Sequence, residues 1–124
     1  MILVKTKTGN EFKISVSKVQ KLGKKWIERL IGFECYLNEG REESPISLRE
    51  CLDLAVNGDE RFLFFLGIEG IKFTEKDEFV LNFLQYHEKE LGLNLNLHFM
   101  YKNEDVNEWQ KRGKLKWKNY TEFY

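Results

Sequence analysis

The sequence predicts an α+β fold, a single compact domain over residues 1–124. A mostly antiparallel sheet (an N-terminal hairpin, a strand near 93–101 and a C-terminal strand) is covered by two or three amphipathic helices. Three observations carry this. Apolar and polar residues alternate at both ends of the chain, as in half-buried strands. Three internal stretches have helical apolar spacing and begin at residues able to cap free backbone N–H groups. At 124 residues, 15% of them aromatic, the chain can bury roughly two-thirds of its unfolded surface around a ring-rich core.

The hairpin comes first. Ile2, Val4 and Thr6 alternate with Leu3, Lys5 and Lys7, and beyond Gly9-Asn10 so do Phe12, Ile14 and Val16 with Glu11, Lys13 and Ser15. Gly-Asn suits a two-residue turn because both residues tolerate positive φ. A helix is expected from Ser17, whose spacing to Gln20 fits a capping box; Val19, Leu22, Trp26, Ile27, Leu30 and Ile31 form its stripe, and Gly32 is a suitable stop. Residues 33–45, with Gly40 and Pro45, read as a loop. The next helix runs from Ser47, spaced to Glu50 as a second box, to Asn57-Gly58.

Residues 61–73 are a short apolar run that fits a buried strand or a helix turn; the aromatic content and two glycines favour one strand, and the run is an apolar contact patch if part of it is exposed. Thr74 and Asp77 open a helix to about Leu91. Leu93, Leu95, Leu97, Phe99 and Tyr101 alternate with polar residues as a strand, a short helix follows Asn103, and Leu115 and Trp117 alternate with lysines in a last strand.

The net charge of zero hides three blocks. Residues 1–30 carry 8 Lys/Arg and 2 Asp/Glu, residues 31–108 carry 7 and 17, and residues 109–124 carry 5 and 1, giving +6, −10 and +4. Such sorting suits a charged partner surface. No run reaches the roughly 18–20 apolar residues of a membrane span, and the start turns polar too early for a secretory signal, so the expected setting is cytoplasmic, away from membranes.

Motifs for chemistry are few. Cys35 and Cys51 stand outside any CxxC pair and are expected to be free thiols. His87 lies near a helical stripe and His98 on the polar face of a strand, without metal-ligand spacing. There is no GxSxG nucleophile motif and no phosphate-cradling glycine loop. The sequence therefore leans toward a non-enzyme, with no cofactor, no metal and no catalytic residue assigned, and leaves open a catalytic site assembled only in space.

Two functional readings lead, ahead of an enzyme or signal-nucleotide hydrolase whose residues come together only in space. In the leading one, the chain is a small intracellular binding protein that occupies a charged surface of a macromolecular partner, in the first place a protein, as inhibitors of the immunity or phage anti-defence type do. Glu39, Glu42, Glu43, Asp59 and Glu60 would face that partner and steer the encounter. In the alternative, the chain binds nucleic acid or a nucleotide through Lys18, Lys21 and Lys25 of the first helix and the tail residues Lys111, Arg112, Lys114, Lys116, Trp117 and Lys118, where cations meet phosphates and rings stack on bases. The plainer account of that tail is a core tryptophan on an edge strand protected by lysines.

Overall fold

The computed structural model describes residues 1–39, 46–91, 93 and 95. They form a small α+β fold in which helices dominate: β1 (Ile2–Lys5), β2 (Glu11–Ile14), α1 (Val16–Asn38), α2 (Leu48–Val56), α3 (Glu60–Glu69) and α4 (Glu75–Tyr86). The expected strand at 93–101 falls outside the described residues except for Leu93 and Leu95, both buried, and the expected C-terminal strand lies wholly outside them.

The hairpin pairs antiparallel with Val4 opposite Phe12 and Ile2 opposite Ile14. Its turn is one residue longer than the Gly9-Asn10 expectation. Gly9 N–H donates to Thr6 O and Thr6 N–H to Asn10 O, leaving Lys7, Thr8 and Gly9 as a three-residue loop. Gly9, at φ 87°, supplies the left-handed residue that such a loop needs.

α1 departs most from expectation. Its cap is Ser15, whose hydroxyl accepts from Lys18 N–H at 3.1 Å, so the helix opens before Ser17. It also runs through Gly32 to Asn38, so residues 33–38 are helix and not loop. A glycine inside a helix costs only about 1 kcal/mol. That cost is outweighed by Phe33, fully buried against Phe62 and Phe65 with ring centroids 5.5 and 5.1 Å away.

The C-terminal end of α1 is held by a buried side chain. Asn38 Nδ2 donates to Glu34 O and Ile46 O, both at 2.9 Å, while Ile46 N–H donates to Asn38 Oδ1 at 2.7 Å. Three buried hydrogen bonds on one carboxamide fix where the chain enters α2. Asn38→Ala should therefore cost about 2–4 kcal/mol, because it leaves Ile46's buried N–H and C=O without these partners. Denaturant titration measures this, and a loss under about 0.5 kcal/mol would contradict the clamp.

α2 starts and stops as its sequence indicates, with the Ser47 hydroxyl accepting from Glu50 N–H at 3.2 Å and Asn57 as the closing cap. Residues 61–73 correct the expected strand: most of them are the helix α3. Asp59 caps it by accepting from Arg61 N–H, and Gly70 closes it at φ 65°. α4 opens with the complete Thr74–Asp77 capping box and closes at His87, short of Leu91.

The helices enclose a core centred on Trp26, which is fully buried. Its ring lies 5.9 Å from Phe62 and 5.7 Å from Phe73 by centroids, and its Nε1–H donates to Asp77 Oδ1 at 2.9 Å. Asp77 Oδ2 meanwhile accepts from Thr74's N–H and hydroxyl, so one carboxylate caps α4 and ties it to α1. Phe12 meets Phe79 edge to face, closing the hairpin over α4. No helix among the described residues is long and apolar enough to cross a membrane.

Candidate functional site

A short helix that buries one face should leave a polar one outside. α3 does not. It buries Phe62, Phe65 and Leu66, while Leu63, Phe64 and Ile68 are 53%, 63% and 57% exposed. Gly67 lies between them, and a Cβ placed there would meet nothing within 4 Å, so that part of the face is flat and open. Phe64 and Ile68 are one turn apart, and Glu60 is one turn before Phe64, so a carboxylate and two apolar side chains form one row. Caps at both ends, Asp59 and Gly70, satisfy free backbone groups and stabilise this helix.

The expected acidic residues separate. Glu39 is exposed just past α1, Asp59 and Glu60 begin α3, and Glu42 and Glu43 lie outside the described residues. Asp59 is engaged by Arg61 Nε at 3.0 Å, and these hydrogen bonds from Arg61 hold its carboxyl below the usual carboxylate range. Glu60 is thus the acid that stands on the apolar row. Leu63, Phe64 and Ile68 belong to the 61–73 run that the sequence offers as an apolar contact patch if exposed; which of its side chains face outward is what the sequence does not show.

Of the basic set, Lys18, Lys21 and Lys25 are exposed along one side of α1. Lys25 opens onto a cleft of about 330 Å³ between α1 and the end of α3, where Arg29, Glu28 and Glu69 also stand. Cations and carboxylates balance there, so the lysine row does not continue into a uniformly positive cleft. Lys111, Arg112, Lys114, Lys116, Trp117 and Lys118 lie outside the described residues.

Burial, then Glu34, pushes the Cys51 thiol up to about 12, and burial and Glu34 also raise Cys35; both are free. Among the described residues no three His, Cys, Asp or Glu side chains gather as a metal site. Glu88, which pairs with Arg49, is raised chiefly by burial.

His87 lines a cavity of about 380 Å³ with Ile2, Phe83 and Tyr86. Burial holds its pKa below the ordinary 6.5, with Glu90 opposing. The folded state therefore favours neutral imidazole, and the unfolded chain takes up the proton first. The contribution is present above about pH 6.5 and lost as pH falls through the lowered folded value. Stability measured at pH 7.5 and 5.5 should thus fall less for His87→Gln than for the parent chain; Glu88 pulls the other way equally in both. Equal falls would contradict the burial effect.

No family profile, curated protein or solved structure matches this chain.

Proposed function

We propose that this chain is a non-enzymatic binding protein that docks on a protein partner through the outward row of α3. The observation that carries the reading is the exposure of Leu63, Phe64 and Ile68 on a helix capped at both ends. A side chain of this size gains about 1.5–3 kcal/mol when removed from water. Three on one rigid face make an anchor of the kind an apolar groove accepts from a helix. Glu60 on the same row, with the acidic block around it, directs the helix to a groove with a cationic rim. An inhibitor of the immunity or anti-defence type would place α3 in the partner's own functional cleft.

The test is recovery of partners by the tagged chain from the cells it comes from. A protein captured by the parent chain should be lost with Phe64→Asp or Ile68→Asp and kept when Lys18, Lys21 and Lys25 are changed to Gln. The opposite pattern, with nucleic acid recovered, would replace this reading by the alternative that rests on the exposed lysine row.

A further inference from the structure

The outward row of α3 has a shape that matches itself. Glu60, Phe64 and Gly67 follow one another at steps of four and three residues, the spacing of a helix–helix seam. Leu63 and Ile68 flank that line, one on each side. We propose that, when no partner is bound, a second copy of this chain covers α3, with the two α3 helices packed antiparallel about a two-fold axis between Phe64 and Gly67. This rests on the α3 docking reading and adds its regulation: self-contact and partner compete for one face.

Phe64 is a knob, 63% exposed, and Gly67 is a recess, because a Cβ there would meet nothing within 4 Å. Knob and recess lie on the same line of the helix, about 4.5 Å apart along its axis. A two-fold axis midway between them sets each copy's Phe64 over the other's Gly67, so both recesses fill at once. A glycine facing the neighbour also lets the two helix axes approach closely. A smooth groove would use the ring and leave the recess empty.

Charge agrees with the same symmetry. It sets residue 60 of one copy opposite residues 71–72 of the other, so exposed Glu60 meets exposed Lys72 at both ends of the seam. Within the described residues the ion pairs are Arg49–Glu88 and Asp59–Arg61, and neither Glu60 nor Lys72 takes part in one. A parallel arrangement would instead set Glu60 beside Glu60. Antiparallel packing also lays the positive end of one helix dipole beside the negative end of the other, and no basic residue in the last turn of α3 offsets that end.

Area sets the strength. From their exposures, Leu63, Phe64 and Ile68 leave on the order of 300 Å² in water per copy. Even with a polar rim, two such rows stay below the roughly 1,200 Å² at which stable interfaces begin. The dimer is therefore weak, with a dissociation constant on the order of 0.1 mM. It forms where the chain is concentrated; below that, α3 is open to its partner.

Sedimentation equilibrium of the full chain from about 0.01 to 1 mM should show monomer passing to dimer and nothing larger. Gly67→Gln should fold at least as well, because glycine is the poorer helix former, and should weaken association tenfold or more by filling the recess. Glu60→Lys and Lys72→Glu should each weaken it by about tenfold at low salt, since each reversal is felt at both ends of the seam. An equimolar mixture of these two variants should associate as the parent does, because both cross-contacts are then attractive again. The proposal is overturned if the chain stays monomeric throughout, or if it dimerises and Gly67→Gln leaves that unchanged. It is also overturned if the mixture associates no better than either variant alone. The docking reading is tested separately, by whether a captured protein is lost with Phe64→Asp, and survives a chain that is monomeric at every concentration.

Discussion

Trp26→Ala should lower the unfolding free energy by about 3–5 kcal/mol, the largest effect expected of any single change here. The indole is fully buried among Phe62 and Phe73, with the Arg29 guanidinium 4.8 Å from its centre. Removing it empties the middle of the core and takes from buried Asp77 the hydrogen bond to Oδ1. Small domains hold only about 5–15 kcal/mol in all, so the variant should sit near the edge of folding. Trp26→Phe separates the two causes. It restores most of the ring and should cost about 1–3 kcal/mol, chiefly for the lost donor. Denaturant titration reads both, and a loss under about 1 kcal/mol in the alanine variant would mean that the core is centred elsewhere.

Phe64→Asp should do the reverse: leave stability within about 0.5 kcal/mol and weaken partner binding by about 30-fold or more. The side chain is mostly in water, so folding gains little from it. In a groove it would be a central aromatic anchor, and truncating such residues costs 2 kcal/mol or more, roughly 30-fold in affinity. The aspartate adds the burden of a charge in an apolar groove. The loss should lie in dissociation. Glu60→Lys should instead slow association at low salt, because that charge acts before contact.

What the sequence made legible was the local hydrogen-bond chemistry. Ser47, the Asn57-Gly58 stop, the Thr74–Asp77 box and the two alternating strands of the hairpin act within a few residues of themselves, and each is where its pattern places it. The extension of α1 past Gly32 was not legible, because what stabilises it is tertiary: Phe33 against rings from α3, and Asn38 against Ile46. Serine at both 15 and 17 offers two caps, and only the geometry after β2 chooses the first.

α3 shows how a contact segment can be legible while its outward face is not. Read as a strand, 61–73 alternates, so that Phe62, Phe64 and Leu66 share one face. As a helix it buries Phe62, Phe65 and Leu66 and turns Leu63, Phe64 and Ile68 outward. An almost unbroken apolar run carries no period to separate these. The ends did carry a signal: Asp59 and Gly70 flank the ten residues of α3 as a capping acid and a left-handed glycine. The acidic residues beside this face were named from charge alone, while the apolar row they border depends on which way the helix faces.

The most direct measurement is photocrosslinking in intact cells, with benzoylphenylalanine placed at position 64, at 68, or at 21 on the lysine face of α1. Docking through α3 predicts one protein adduct of the same mass from positions 64 and 68 and none from 21. An adduct from position 21, with 64 and 68 silent, would contradict it.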